Sequence, residues 1–146
     1  MSMQFNRIIL VDDEIAHVTL VERNFRRMGY EKEIIKCENG QQLLDMIIGE
    51  DKNQASDNFP LIVLDINMPV KNGIEVLAEL KAKEETRHIP IIVLTTSDDP
   101  TEIEQCYKLG CNAYITKPVI AEEFKDKITS LAGFLNIVST PVKTLG

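Results

Sequence analysis

Length, composition and charge exclude several classes of protein. The chain has 146 residues, of which 44% are hydrophobic and 27% charged, as expected for one soluble globular domain with a single core. No stretch approaches the roughly 18 to 20 consecutive apolar residues that a membrane span needs. The short polar start at Met1–Gln4 does not resemble a secretory signal, so we expect a cytoplasmic protein. The formal net charge of −7 argues against direct binding of nucleic acid, which requires a concentrated positive surface.

The cysteines do not indicate a disulfide framework or a zinc site. Cys37, Cys106 and Cys111 form neither an even set nor a CxxC pair, and His17 and His88 lie far from them in sequence. We therefore expect reduced thiols.

Five short apolar runs alternate with five longer amphipathic stretches. The predicted strands are Arg7–Val11, Glu33–Cys37, Leu61–Asp65, Ile91–Thr95 and Asn112–Thr116. The first, third and fourth runs are continuously apolar rather than alternating. This is typical of strands that are buried on both faces of a parallel sheet.

The stretches between the runs have the three- and four-residue apolar spacing of amphipathic helices. The apolar positions are Ile15, Val18, Val21, Phe25 and Met28 in the first helix; Leu43, Leu44, Ile47 and Ile48 in the second; Ile74, Leu77 and Leu80 in the third; Ile103, Cys106 and Tyr107 in the fourth; and Ile120, Phe124, Ile128, Leu131, Leu135 and Val138 in the fifth. Gly29, Gly49 and Gly110 predict the ends of the first, second and fourth helices. Asp99 followed by Pro100 predicts the start of the fourth.

Strict alternation of strands and helices predicts an α/β fold with a parallel sheet and helices on both faces. For five strands the common solution is the doubly wound, flavodoxin-like strand order 2-1-3-4-5. The polar segment Gly49–Phe59 predicts a long exposed loop, and the tail from Ser139 to Gly146 is expected to fray.

Polar residues follow the strands where ligands bind in this class of fold. Asp12 and Asp13 follow the first strand, Asp65 ends the third, Thr95 ends the fourth, and Lys117 follows the fifth. Each residue alone has an ordinary explanation, such as a helix start, a turn or a solvated surface charge. Because the first and third strands are neighbours in the predicted order, the three carboxylates are expected to meet at one edge of the sheet.

Such a cluster needs a compensating charge. Two carboxylates about 4 Å apart repel by roughly 4 kcal/mol at an effective dielectric constant of about 20. All the candidate ligands are oxygens, which favours a hard divalent cation. Mg²⁺ fits best because it takes few protein ligands and keeps several waters, whereas Ca²⁺ would want more carboxylates.

A carboxylate, a hydroxyl, a lysine and Mg²⁺ together suit phosphoryl transfer onto the carboxylate. Asp65 is the predicted nucleophile. Lys117 and the Thr95 hydroxyl are the predicted ligands of the phosphoryl oxygens, with backbone amides near Asn67 and Thr96 as further donors.

The motifs resemble those of the receiver domain of two-component response regulators, the CheY-like group, from about residue 6 to about residue 132. The matching segments are Ile9–Glu14, Leu64–Pro69 with Asn72 and Gly73, Val93–Ser97, and Gly110–Pro118. The remaining residues, 133–146, are expected to extend the last helix and to form the tail of the same single domain.

This resemblance implies a role for each matching residue. Asp65 would be the phospho-acceptor. Asp13, Asp65 and the main-chain carbonyl of Asn67 would bind Mg²⁺, which Mn²⁺ could replace, with Asp12 assisting through water. Thr95 would be the switch hydroxyl and Lys117 the lysine typical of the family. A further implication is an aromatic switch at Tyr114 and a cis peptide bond between Lys117 and Pro118, although simple packing explains Tyr114 equally well.

The resemblance also implies partners. A sensor histidine kinase or a histidine phosphotransfer protein would supply the phosphoryl group. The chain ends where most relatives continue into an output domain, which resembles stand-alone receivers that serve phytochrome-type or other sensor kinases. Phe134 and Ile137 lie off the core stripe of the last helix and suggest a homodimer. A terminal effector and a relay intermediate both remain open.

Other classes fit less well. A haloacid-dehalogenase-like phosphatase would need a second Asp two residues after the nucleophile, where this chain has Asn67. A nucleotide-binding enzyme would need a glycine-rich phosphate loop. A flavin carrier would be repelled by Asp12 and Asp13. We therefore predict a signalling domain with self-phosphorylation and self-dephosphorylation chemistry, not a turnover enzyme.

Overall fold

Five parallel strands form one sheet in the predicted order β2-β1-β3-β4-β5. The computed structural model describes residues 5–48, 60–68 and 72–139, and it describes side chains up to residue 130 except that of Ile48. The strands are β1 (Arg7–Val11), β2 (Glu33–Cys37), β3 (Leu61–Leu64), β4 (Ile91–Thr95) and β5 (Ala113–Thr116). The helices are α1 (Ile15–Arg27), α2 (Gly40–Ile48), α3 (Gly73–Ala82), α4 (Pro100–Leu109) and α5 (Ala121–Ser139).

The register aligns the carboxyl ends of the strands. Val11, the last residue of β1, lies opposite Cys37 in β2 and Leu64 in β3. Thr95 and Thr116, the last residues of β4 and β5, are likewise opposite each other. Residues that follow the strands are therefore delivered to one common edge of the sheet.

The continuously apolar strands supply a core on each side of the sheet, because successive side chains point to opposite faces. In β1, Ile9 and Val11 belong to the cluster covered by α2, α3 and α4, whereas Ile8 and Leu10 belong to the cluster covered by α1 and α5. On the second face, Phe25 of α1 meets Phe124 of α5 edge-to-face, with ring centroids 5.2 Å apart.

The helix boundaries follow from capping residues. Asp99 accepts a hydrogen bond from the Thr101 amide at the start of α4, and Gly110 ends that helix at φ 112°, where an L side chain would be strained. Asn72 and Glu75 form a capping box at the start of α3.

Several sequence predictions need correction. Strand β3 ends at Leu64 rather than Asp65, and β5 begins at Ala113 rather than Asn112. Three apolar residues assigned to helix core stripes are exposed: Ile15 by 83%, Ile120 by 60% and Tyr107 by 49%. Ile15 is the first residue of α1 and Ile120 immediately precedes α5, so both lie where their helices begin.

Some predictions concern residues outside the described part of the chain. These are the loop Gly49–Phe59, the tail beyond Ser139 and the side chains of Leu131, Phe134, Leu135, Ile137 and Val138. Cys37, Cys106 and Cys111 are buried free thiols, as expected. Among the described residues, no helix combines the length and the apolar character needed to cross a membrane.

Candidate functional site

The sheet fixes the backbone of the predicted site residues. Beyond the ends of β1, β3 and β5, the ladder continues with one more hydrogen bond. The Asp12 amide donates to the Cys37 carbonyl at 3.1 Å, the Asp65 amide to the Val11 carbonyl at 3.0 Å, and the Lys117 amide to the Thr95 carbonyl at 2.7 Å. The peptide bond between Lys117 and Pro118 is cis, as the resemblance implied.

Three carboxylates converge as predicted. Asp12, Asp13 and Asp65 each offer an oxygen atom, and these atoms lie within 4.8 Å of one another. Asp65 is buried, Asp12 is half-buried and Asp13 is exposed, so the cluster opens toward solvent on the Asp13 side. One Asp12 oxygen accepts a hydrogen bond from the Glu14 amide at 2.9 Å, which orients this carboxylate.

Asp65 has opposing influences on its charge. Its pKa is raised, chiefly because burial disfavours the ionised carboxylate, and repulsion from Asp12 acts in the same direction. The Asn67 amide, which donates to Asp65 Oδ1 at 3.0 Å, opposes this rise, as do the Lys117 ammonium and the Thr95 hydroxyl. A buried carboxylate with nearby donors and a raised pKa is a candidate functional group.

The Lys117 ammonium lies inside the acidic cluster. Its side chain is only 3% exposed, and Nζ lies 2.7 Å from Asp12 Oδ2 and 3.5 Å from Asp65 Oδ2. A third contact, 2.8 Å long, joins Nζ to Nδ1 of His17. The lysine therefore offsets part of the carboxylate charge at the point where a phosphoryl group on Asp65 would meet it.

Thr95 is completely buried, and its hydroxyl group faces the same site. Its Oγ1 accepts a hydrogen bond of 3.0 Å from the side-chain amide of Asn67 and a longer one, 3.4 Å, from the Ser97 amide. Thr96, whose amide was a predicted donor, is exposed. The hydroxyl is thus linked to Asp65 both directly and through Asn67.

Tyr114 points into the core beneath the loop between β4 and α4. It is 6% exposed, and its hydroxyl donates a 2.8 Å hydrogen bond to the Ser97 carbonyl. The Ser97 hydroxyl in turn donates to Glu102 in the first turn of α4 at 2.8 Å. Through Ser97, the loop that follows Thr95 is tied both to Tyr114 and to α4.

Two side chains of the site were missed by the sequence analysis. Asn67 was predicted only through its main chain, as a carbonyl ligand and a nearby amide donor, whereas its side chain also contacts Thr95. His17 was considered only as a partner of the cysteines. Its position in the first turn of α1, shortly after Asp12 and Asp13, was a usable signal because this end of α1 begins close to the acidic pair.

The cluster fits a hard divalent cation. All three convergent groups are carboxylates, and one of them is exposed and accessible from solvent. Carboxylate oxygens with room for water are the coordination that Mg²⁺ prefers. The Lys117 ammonium alone does not balance three negative charges, so a cation is also favoured electrostatically.

Comparisons with known proteins agree with this geometry. Residues 8–129 match the response regulator receiver domain family. The curated protein Response regulator Rcp1 of Synechocystis is 31% identical over 135 residues, which cover 92% of each chain. The crystal structure of a receiver domain from Rhodospirillum rubrum is 38% identical, with a TM-score of 0.74, and the match covers 90% of this chain and 94% of that one.

Other similar structures contain metal ions or are bacteriophytochrome response regulators. A structure of Rcp1 is of its Mn²⁺-bound form; it is 30% identical, with a TM-score of 0.69 and coverage of 92% and 95%. The receiver domain of sensor histidine kinase PA1611 from Pseudomonas aeruginosa has magnesium in its active-site cleft; it is 28% identical, with a TM-score of 0.70 and coverage of 88% and 98%. Further matches are bacteriophytochrome response regulators.

These matches favour the receiver interpretation over the phosphatase, nucleotide-binding and flavin-carrier alternatives. The family match covers most of the chain, and the strand order is that of a flavodoxin-like fold. The chain therefore belongs to the response regulator receiver domain family and is a response regulator of two-component signalling.

Proposed function

We propose that Asp65 is the phospho-acceptor of this receiver domain and takes its phosphoryl group from a histidine of a sensor kinase or a histidine phosphotransfer protein. The observation that carries the proposal is the convergence of Asp12, Asp13 and Asp65 around the buried Lys117 ammonium. A carboxylate oxygen of Asp65 attacks phosphorus, the bond from phosphorus to the donor histidine breaks, and the imidazole leaves.

Protein groups around Asp65 are placed to hold the transferred group. The Lys117 ammonium lies 3.5 Å from Asp65 Oδ2, and the Asn67 amide lies 3.0 Å from Oδ1, so donors flank both carboxylate oxygens. The Thr95 hydroxyl adds a third donor on the β4 side. Donors fixed before the reaction lower the cost of the charge that develops during transfer.

Mg²⁺ is the proposed cofactor, with Asp13, Asp65 and the Asn67 carbonyl as ligands, Asp12 assisting through water, and Mn²⁺ as a substitute. When bound, the ion supplies positive charge that offsets the repulsion between the carboxylates and the phosphoryl oxygens. Its fit to the three carboxylates and the metal ions in similar receivers support this proposal.

We expect the site to accept a phosphoryl group but not to hydrolyse phosphate esters rapidly. A phosphatase of the competing class needs a carboxylic acid two residues after the nucleophile to protonate the leaving group. Here that residue is Asn67, and its side chain donates to Thr95. Besides transfer from a donor histidine, we therefore propose self-phosphorylation by small donors and slow self-dephosphorylation, and no rapid hydrolysis of phosphate esters.

Thr95 and Tyr114 are the proposed switch. A phosphoryl group on Asp65 would attract the Thr95 hydroxyl and so compete with the hydrogen bond from Asn67. Because the Ser97 amide contacts Thr95 and the Ser97 carbonyl accepts from Tyr114, a shift of Thr95 acts on the loop before α4. This would bias the face formed by α4, β5 and α5.

Exposed apolar residues next to the site suit a protein donor. Ile15 begins α1 directly after the acidic pair, and Ile120 stands between Lys117 and α5, so both lie at the edge of the sheet that carries Asp65. Apolar side chains exposed beside a reactive group are typical of an interaction surface. Receiver domains partner with sensor histidine kinases, and these residues are proposed contacts for such a partner.

For the chain as a whole, we propose a single receiver domain that acts in the cytoplasm without direct binding of nucleic acid. The net charge of −7 supports the last point, and the match to Rcp1 over 92% of both chains supports the first. Homodimer formation through the α5 region is a further proposal, and sedimentation of a monomer at high concentration, with and without phosphorylation, would count against it.

The decisive experiment is incubation with Mg²⁺ and acetyl phosphate, followed by intact mass measurement. We expect the wild-type chain to gain one phosphoryl group. The Asp65→Asn variant and a wild-type sample containing EDTA should gain none. A phosphoryl group on the Asp65→Asn variant would refute Asp65 as the acceptor.

A further inference from the structure

His17 is the third residue of α1, on the end of the helix that faces the site. Its Nδ1 lies 2.8 Å from Lys117 Nζ, a contact that joins residues 100 positions apart in the sequence. The ring lines the same small cavity as Asp12 and Asp65. Nδ1 also lies 3.4 Å from Glu14 Oε2 and 4.0 Å from Asp12 Oδ2.

The direction of the hydrogen bond follows from the groups involved. An ammonium group has three N–H donors and no acceptor, so Nδ1 of His17 must accept from Lys117. The ring proton must then be on Nε2. The ammonium also donates to Asp12 Oδ2 at 2.7 Å and forms an ion pair with Asp65 Oδ2 at 3.5 Å.

We propose that His17 is a positioning residue that holds the Lys117 ammonium beside Asp65. The inference rests on the proposed function, because Lys117 matters there as a ligand of the phosphoryl oxygens. No role in phosphoryl transfer is assigned to His17 itself, which acts through the lysine.

His17 differs from the other two acceptors of Lys117. Asp12 and Asp65 are also the carboxylates that face the proposed cation and phosphoryl group, so these ligands compete with Lys117 for their oxygens. The imidazole of His17 has no proposed role in binding the cation or the phosphoryl group. Lysine has a flexible four-carbon stem, and a fixed third acceptor reduces the freedom of its ammonium group. Holding a group in the orientation that the reaction needs increases the reaction rate.

Spectroscopy tests the contact without any need for phosphorylation. The chain has two histidines, so the ring nitrogens of His17 and His88 can be assigned by long-range ¹H–¹⁵N correlation. We expect the Nε2–H tautomer at His17, and a shift of its Nδ1 resonance in the Lys117→Met variant. His88 is the internal reference and should not change. An Nδ1–H tautomer, or an Nδ1 resonance unaffected by Lys117→Met, would overturn the inference.

Kinetics test the consequence with a matched pair of variants. Leu and Asn branch at the same atom, but only Asn offers an oxygen near the position of Nδ1. We expect His17→Leu to slow phosphorylation by acetyl phosphate about 3- to 10-fold, as for the loss of one positioning hydrogen bond. His17→Asn should stay within about 2-fold of the wild-type rate, since the acceptor is kept.

The outcomes separate the two proposals. Equal slowing in the Leu and Asn variants, or no slowing in the Leu variant, would contradict a positioning role while leaving Asp65 as acceptor. A wild-type chain that gains no phosphoryl group would instead overturn the proposed function. Mg²⁺ affinity is measured for all three proteins, and we expect it to be equal, because a loss confined to the Leu variant would indicate an effect on the metal instead.

Discussion

At the scale of single residues, Asp65 is a functional group that costs stability. Burial and the neighbouring Asp12 both disfavour its ionised form, and they outweigh the donors from Asn67, Lys117 and Thr95. Folding therefore places a charge where an uncharged side chain would be better tolerated. A site that binds a cation and a phosphoryl group keeps this unfavourable charge ready for its ligands.

The first prediction is that Asp65→Asn stabilises the metal-free protein. The amide keeps an oxygen that can face Lys117 but removes the repulsion from Asp12. We expect a gain of about 1 kcal/mol at neutral pH, or roughly 2–4 °C in Tm, measured by thermal unfolding in EDTA. The control is Asp126→Asn on the exposed side of α5, which should change little.

The pH dependence of this gain has a definite sign. The pKa of Asp65 is higher in the folded chain than the ordinary value of 3.8, so the folded state binds the proton more tightly than the unfolded state. The ionised carboxylate therefore lowers the free energy of unfolding at pH values above the raised pKa. This destabilisation disappears as the pH falls through the raised pKa toward 3.8. A stability gain in Asp65→Asn that grew on acidification would contradict the assigned cause.

The second prediction concerns the Thr95 hydroxyl. Thr95→Ala should still accept a phosphoryl group, because Asp65, Lys117 and the acidic pair remain. The loop and Tyr114 should respond less, since the group that links Asp65 to Ser97 is missing. The measurement is the change of amide NMR shifts in residues 97–116 on phosphorylation, which we expect to fall at least about 2-fold.

Thr95→Ser is the matched control, because it keeps the hydroxyl while losing only a methyl group. It should respond as the wild type does. A full response in Thr95→Ala would show that the hydroxyl does not transmit the signal.

At the scale of elements, α3 approaches the site more closely than any side chain would allow. A Cβ atom on Gly73, the first residue of α3, would lie 2.6 Å from the Ile66 Cα and equally against the Asp65 carbonyl. The Gly73 amide donates to the Ile66 carbonyl at 3.2 Å. The start of this helix is thus packed onto the backbone that carries Asp65, the proposed phospho-acceptor.

The third prediction is that Gly73→Ala disturbs the site as well as the fold. We expect a loss of about 1–3 kcal/mol in the free energy of unfolding, because backbone atoms cannot move aside cheaply. Phosphorylation by acetyl phosphate should slow, since Asp65 shifts with its carbonyl. The measurements are chemical denaturation and the time course of intact mass.

Gly29→Ala is the control for this variant. Gly29 has φ 94° with no atom within 4 Å of a Cβ position, so its cost is conformational and remote from the site. It should lose stability without slower phosphorylation. Equal rates in Gly73→Ala and the wild type would contradict the role given to the close approach of α3.

The elements themselves were largely predictable from the sequence. Strands β1, β2 and β4 have the predicted bounds, because polar or turn residues on both sides of an apolar run define where the strand begins and ends. The fourth helix was predicted through Asp99, Pro100 and Gly110, whose local chemistry fixes both ends. Periodicity failed at Ile15, Ile120 and Tyr107, since an apolar spacing does not reveal which residues of a helix the rest of the fold covers.

At the scale of the whole molecule, the site depends on strand order. Asp12, Asp13, Asp65, Thr95 and Lys117 could be predicted to meet, because parallel strands deliver their ends to one edge. The position of His17 in the first turn of α1 could have indicated that it lies near the acidic pair. Its contact with Lys117, and the contact of the Asn67 side chain with Thr95, could not be predicted. These two contacts depend on side-chain rotamers and on the placement of the helices, and they join residues far apart in the sequence. No local sequence pattern encodes them.

The most direct test of the central claim is to locate the modified residue. After incubation with acetyl phosphate and Mg²⁺, borohydride reduction converts an aspartyl phosphate to homoserine, and peptide mass mapping then identifies the position. Because Asp65 is the buried carboxylate that is flanked by hydrogen-bond donors, we expect homoserine at position 65 and at no other position. Homoserine at position 12 or 13, or a phosphoryl group retained on another residue type, would contradict the claim that Asp65 is the acceptor of this acidic cluster.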